Sequence, residues 1–174
     1  NGKVSVGVIP FVLSDQAAPP RDPSATQLAD SWLSQAGDPW VQLLRENVNR
    51  GVVEPALHGF EHRLHIPTPH RPTEVRRHSE EWQRQALRLG QAVLTNTLGQ
   101  PVRVFIPPWN SWDDLTVKAL LESGFEWLSP DLNPQAAVTP IKIAAQSTAD
   151  PTAALIAMTD DANAPPGTVL VLVT

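Results

Sequence analysis

The chain has 174 residues, enough for a single domain with its own hydrophobic core. Charged residues make up 18% and hydrophobic residues 41%, which excludes a disordered acidic tail. The formal net charge of −5 argues against a basic surface that would bind nucleic acid. Cysteine is absent, so a metal would need His, Asp or Glu ligands, and no apolar run approaches the roughly 20 residues of a membrane span.

Strand and helix patterns alternate along the chain. Short β-branched or apolar runs predict strands at 4–9, 52–57, 102–106, 125–129, 141–146 and 168–173. Capping residues and helical spacing predict helices at 39–50, from about 72 or 79 to 98, from an N-cap at Ser111 to 124, and from 150–151 onward. This alternation predicts one α/β domain over residues 1–174 with a mainly parallel sheet or barrel. Ligands of such folds bind at the carboxyl ends of the strands.

The five histidines all lie between residues 58 and 78. His58 and His62 are four residues apart directly after a predicted strand. In a helical turn, which Gly59 would help to tighten, their imidazoles would share one side and could bind one cation. Neutral imidazole suits Zn²⁺, Fe²⁺ or Co²⁺, and affinity should fall below about pH 6 as the rings gain protons. We therefore predict metal ligation by His58 and His62, against the alternative of surface or hydrogen-bonded histidines.

The remaining histidines carry a weaker signal. His65, His70 and His78 are expected in a loop and on a helix surface, and a third ligand among them stays open. Glu61 directly precedes the second histidine of the pair, so the sequence lacks the His-Glu-x-x-His zinc motif. Glu61 is therefore not assigned as a general base.

A Pro-Pro-Trp-Asn segment at 107–110 follows the strand predicted at 102–106. The parallel-sheet rule places this segment on the same rim as the histidine pair. We predict that Pro108, Trp109 and Asn110 contact substrate, with the Trp109 ring against a sugar face and the Asn110 amide as a hydrogen-bonding group. Alternatively, Trp109 packs on its loop and Asn110 satisfies a turn. The substrate role requires Trp109 to be at least partly exposed beside the histidines.

Three segments together, at 56–63, 105–110 and 120–129, resemble the polysaccharide deacetylase superfamily and especially a divergent branch of it. The resemblance implies a distorted (β/α)₇ TIM-like barrel with an Asp-His-His metal site. There a divalent cation, usually zinc, activates water to remove N- or O-acetyl groups from sugars. It assigns His58 and His62 as metal ligands and 107–110 as the substrate loop. It also favours a carbohydrate partner and an extracytoplasmic or cell-envelope location.

The sequence departs from the family pattern in three places. The Asp pair of the family's first motif, which supplies the base and a metal ligand, is not in this chain, and Ile106 stands where an Arg usually opens the third motif. No closing histidine follows position 170. We therefore expect a barrel lacking its first strand and incomplete at both ends, with no catalytic base assigned. Asp15 and Asp131 are open candidates for the missing ligand.

Two functions fit these observations. The first is a metal-dependent hydrolase that deacetylates a carbohydrate, nearly inactive as residues 1–174 alone. The second is a catalytically inactive carbohydrate-binding or structural module that keeps the barrel. The substrate, the choice between N- and O-acetyl groups and the oligomeric state are left open by the sequence.

Overall fold

The computed structural model describes residues 4–12, 18–34, 37–63, 73–129, 141–142 and 171–172. These ranges contain three α-helices, α1 (Pro39–Asn49), α2 (Glu80–Leu98) and α3 (Asp114–Glu122), and short 3₁₀ turns at Leu28–Asp30, Trp32–Ser34 and Pro108–Asn110. Their strands are β1 (Val4–Val8), β2 (Val53–Leu57), β3 (Val104–Phe105), β4 (Trp127–Leu128), β5 (Ile141–Lys142) and β6 (Val171–Leu172). Among the described helices, none is long and apolar enough to cross a membrane.

The strands form one sheet in the order β5-β4-β3-β2-β1-β6. Every neighbouring pair is parallel except β4 and β5, which are antiparallel. The predicted α/β class with a mainly parallel sheet is therefore confirmed. Across the part of the chain that the structure describes, the sheet is an open row with β5 and β6 at its ends, so the seven-unit barrel stays a prediction.

β1 has a neighbour on each side within the described sheet, and the expected lack of the barrel's first strand stays a prediction. β1 pairs with β2 on one side and with β6 on the other, where Val6 is in register with Val171. Both edges of β1 are thus hydrogen-bonded. The reason is that the last short strand, far away in the chain, returns next to the first.

Helix ends follow the predicted capping with one exception. The Asp38 carboxylate accepts hydrogen bonds at the start of α1, the Ser79 hydroxyl does so at α2, and Gly99 ends α2 with φ of 70°. The predicted cap at Ser111 is wrong. The α3 cap is Asp113, because its carboxylate accepts the N–H of the residue at the third helical position, while Ser111 still belongs to the turn that starts at Pro108.

β3 and β4 are shorter than the strands predicted at 102–106 and 125–129, with two residues each, and most of the strands predicted at 141–146 and 168–173 lies outside the described residues. The helix predicted from 150–151 lies outside the described residues. Local apolar runs mark where a strand can form, whereas strand length depends on how far the neighbouring strand runs alongside it.

The core lies between the sheet and α1, α2 and α3. The buried face of α2 includes Ala86, Leu87, Gly90, Val93 and Leu94. A Cβ on Gly90 would lie 2.9 Å from a methyl carbon of Leu57, so the glycine permits close approach of α2 to β2. This packing fixes the carboxyl end of β2, which lies inside the sheet between β1 and β3.

Candidate functional site

His58 is the first residue after β2 and is held from both sides. Its backbone N–H donates to Val8 O at 2.9 Å, and its Nδ1 lies 2.9 Å from Ile106 O. Because a carbonyl oxygen only accepts, Nδ1 carries the ring proton and Nε2 keeps its lone pair. The same arrangement orients metal-ligating histidines in many proteins. His58 therefore has the tautomer that a ligand needs.

Burial keeps this ring neutral. His58 is only 2% exposed. Loss of hydration lowers its pKa from 6.5 to about 4, the Ile106 hydrogen bond opposes that shift, and the neighbouring His62 adds a smaller lowering. Near neutral pH, Nε2 is therefore available as an electron-pair donor.

His62 lies against His58, as the spacing predicts. The two ring centroids are 4.9 Å apart with their planes tilted by 41°. His62 is half-buried, and this burial lowers its pKa against an opposing hydrogen bond to its own backbone. The expected helical turn is absent, since residues 58–63 form an irregular loop in which Gly59 has φ of 74° and His62 has φ of 53°. The positive φ angles of Gly59 and His62 turn the backbone within this loop, which places the two rings side by side.

Glu74 organises this loop, and the sequence analysis missed it. Its side chain is completely buried. Its Oε2 accepts the N–H of Phe60 at 3.1 Å, and its Oε1 accepts those of Glu61 at 2.6 Å and His62 at 2.8 Å. The sequence offers no signal for this role, because an isolated Glu between Thr73 and Val75 looks like an ordinary surface residue.

Gly59 makes room for that carboxylate. A Cβ at this position would overlap both Glu74 Oε2 and Pro108 Cγ. The positive φ of Gly59 is also a conformation that glycine adopts without steric cost. Position 59 thus requires glycine for two independent reasons.

The Pro-Pro-Trp-Asn segment lies on the same rim, as predicted. Pro108 is buried and starts a 3₁₀ turn, and the partly exposed Trp109 ring lies 4.4 Å from the His62 ring between centroids. The Asn110 Oδ1 atom is buried and has no hydrogen-bond partner among the described residues. A partly exposed aromatic ring and a buried amide oxygen with no partner among the described residues therefore lie in one loop beside the histidines.

Backbone strain is concentrated here. Four described residues other than glycine have positive φ, and three of them are His62, Trp109 and Asn110. Each such residue costs on the order of 1–3 kcal/mol and persists where the surroundings enforce it. Clusters of this kind are typical of binding sites, which is an independent reason to place the site at this rim.

Glu61, next to His62, is engaged elsewhere. Its Oε1 accepts the backbone N–H of Arg21 at 2.9 Å, and the Arg21 Nε lies 4.0 Å from Oε2. Arg63 donates from its guanidinium to Ala18 O at 2.5 Å. These contacts fasten the segment before α1 to the histidine loop. They agree with leaving Glu61 unassigned as a base.

Among the other candidate ligands, the structure describes His78, which is engaged elsewhere. His78 stacks on Trp82 with centroids 3.7 Å apart and planes 14° from parallel. His65, His70, Asp15 and Asp131 lie outside the described residues, so their proposed roles stay open. Within the described ranges, no group of three or more His, Cys, Asp or Glu side chains is placed to hold a metal ion. His58 and His62 thus form a two-residue donor set there.

No protein-family model matches the chain, and no curated protein matches it. Solved structures do. A de-N-acetylase from Aggregatibacter actinomycetemcomitans is 19% identical over 51% of this chain and 39% of that one, with a TM-score of 0.41. IcaB from Ammonifex degensii is 24% identical over 51% and 38%, also with a TM-score of 0.41.

A third structure, described as a polysaccharide deacetylase from Mycobacterium smegmatis, is 19% identical. The match covers 77% of this chain and 36% of that one, with a TM-score of 0.45. This chain therefore spans about two fifths or less of each of these three structures. At these scores the likeness by itself carries no conclusion about its chemistry.

Proposed function

We propose that this chain contributes two metal ligands and a sugar-binding loop to a hydrolase that removes acetyl groups from a carbohydrate. The observation that carries the proposal is the state of His58. It is buried and neutral, with Nδ1 committed to Ile106 O and Nε2 left as a donor, and the second imidazole lies beside it.

The donor set fits a divalent cation, and Zn²⁺ is the first candidate because two neutral imidazoles suit it. His58 and His62 would hold the ion, with the remaining ligand and the catalytic base supplied by residues beyond those described. When bound, such an ion would polarise an acetyl carbonyl and lower the pKa of water.

The adjoining loop would hold the sugar. The partly exposed Trp109 ring offers an apolar face for stacking on a pyranose, and the Asn110 side chain in the same turn is the proposed hydrogen-bonding group. Both groups lie on the rim that carries the histidines. An acetylated carbohydrate is the substrate class, and the cell envelope or another extracytoplasmic site the location, that the sequence resemblance favours.

A second candidate is a carbohydrate-binding module without catalysis. One observation favours it: among the described residues the histidine pair has no third ligand. In that case Trp109 and Asn110 would bind sugar while the histidines kept only a structural role.

Titration calorimetry with ZnCl₂ tests the proposal. Zinc should bind to the wild-type chain, and His58→Ala and His62→Ala should each abolish or strongly weaken binding. His78→Ala is the matched control, because that imidazole stacks on Trp82 and should leave the affinity unchanged. Equal zinc affinity in all four proteins would refute the metal site.

Acetate release separates the two candidates. Zinc-dependent release from an acetylated chitooligosaccharide by the protein in its full reading frame supports the hydrolase. Saturable binding of the same sugar with no acetate release supports the binding module.

A further inference from the structure

The two histidines are anchored in different ways. His58 is fixed by the sheet, since its N–H continues the hydrogen bonding between β1 and β2 and its ring is bonded to Ile106 O. His62 lies beyond a glycine bend and has no ladder partner to hold it. Its backbone N–H instead donates to Glu74 Oε1 at 2.8 Å. The placement of one ring relative to the other therefore depends on the loop between them.

That loop is shaped around one carboxylate. The N–H groups of Phe60, Glu61 and His62 are consecutive in the chain, and all three point to Glu74. Consecutive N–H groups that converge after a positive-φ residue form an anion-binding concavity. The anion here is a side chain of the protein itself, which arrives from 12 to 14 residues further along. Burial of the carboxylate excludes water as a substitute acceptor.

We propose that Glu74 is a positioning residue for the metal-binding pair, holding His62 against His58 and Trp109 through the loop backbone. The inference rests on the proposed function, in which the pair binds a cation. It assigns to Glu74 a role that neither the motif pattern nor the histidine spacing indicates. Loss of outer partners of metal ligands typically reduces metal affinity about 10- to 100-fold.

Three variants test the role. Glu74→Gln keeps the shape but replaces one acceptor oxygen with an N–H₂ group, which would face a backbone N–H donor. Glu74→Ala removes both acceptors. Asp38→Ala is the control, since that carboxylate likewise accepts backbone N–H groups, from Trp40 and Val41, but at the start of α1.

The first measurement is zinc affinity by competition with a chelating indicator, alongside thermal unfolding. We expect both Glu74 variants to bind zinc at least tenfold more weakly, and Asp38→Ala to bind it normally although loss of the cap lowers its melting temperature. Wild-type affinity in folded Glu74→Gln would overturn the proposal. So would an equal loss of affinity in Asp38→Ala, because it would trace the effect to general destabilisation.

The second measurement needs neither metal nor activity. In the wild-type protein without zinc, the amide protons of Phe60, Glu61 and His62 should resonate downfield, as expected for N–H groups bonded to a carboxylate. In Glu74→Gln they should move upfield, and the nuclear Overhauser contacts between the rings of His62 and Trp109 should weaken. Ordinary amide shifts in the wild type would refute the role of Glu74, even if every Glu74 variant failed to fold.

The two proposals fail separately. If the wild type binds no zinc while the amide shifts respond to Glu74→Gln, the metal site is wrong and Glu74 still shapes the loop. If zinc binds through His58 and His62 but neither affinity nor amide shifts respond to Glu74→Gln, the metal site stands and the positioning role is wrong.

Discussion

Substituting Gly59 by Ala should be far more damaging than the same change at other positive-φ glycines. At φ of 74° a side chain costs about 1–2 kcal/mol. The new Cβ would also overlap Glu74 Oε2 and Pro108 Cγ. Neither neighbour can give way easily, since the carboxylate is held by three N–H groups and the other atom belongs to a rigid ring. Overpacking of this kind adds about 1–3 kcal/mol, so we expect Gly59→Ala to lower the unfolding free energy by about 2–5 kcal/mol.

Gly99 and Gly124 provide matched controls. Their φ values are 70° and 77°, and a Cβ on either would meet nothing within 4 Å. In their alanine variants the free energy of unfolding should therefore fall only by the cost of placing a side chain at positive φ, about 1–2 kcal/mol. Urea unfolding followed by tryptophan fluorescence measures all three differences, since the chain has six tryptophans. If Gly59→Ala is no worse than the two controls, the carboxylate does not occupy the space assigned to it.

Three further predictions follow. The pKa of His58 is lowered to about 4 in the folded protein, so His58 takes up a proton in the unfolded chain first as the pH falls. The free energy of unfolding should therefore drop between about pH 6.5 and 4, by up to about 3 kcal/mol. Urea unfolding at pH 7 and 4.5 should show this drop, and an equal drop in His58→Asn would contradict it. Because the pKa values of His58 and His62 are both lowered, zinc affinity should persist near pH 6, where ordinary histidines would already be losing it to protonation. Calorimetry at several pH values measures this affinity, and its loss by pH 6 would contradict the prediction. Chitooligosaccharides should quench tryptophan fluorescence in the wild type but not in Trp109→Ala. Trp40→Ala is the control and should still be quenched, since Trp40 is 48% exposed but lies on α1. Persistent quenching in Trp109→Ala would exclude Trp109 as the sugar-stacking residue.

Residues 1–174 alone should release almost no acetate from an acetylated chitooligosaccharide. Two imidazoles supply fewer protein ligands than a catalytic zinc normally has, and no described carboxylate joins them. Without a general base the rate falls by a further factor of about 10² to 10⁴. A colorimetric acetate assay with added zinc checks this, and robust release would direct mutagenesis to Asp15 and Asp131.

The sequence by itself determined the local elements and the position of the site along the chain. Apolar periodicity and capping residues predicted both ends of α1 and the end of α2 almost to the residue, while the start of α2 was left open between about 72 and 79; these signals act within a few positions of each other. The four-residue spacing after a strand also predicted that His58 and His62 would meet, although the helical turn on which that prediction rested is absent. Those interactions are short in sequence, so a pattern can record them.

Tertiary structure decided which residues surround the histidine pair and which tautomer and protonation state His58 adopts. His58 takes its tautomer from Ile106, which is 48 residues away, and its neutrality from burial by the assembled sheet. The histidine loop takes its shape from the buried carboxylate of Glu74, and β1 takes its second neighbour from β6. No local pattern marks such partners, because they meet only after the chain has folded and the surrounding core has excluded water.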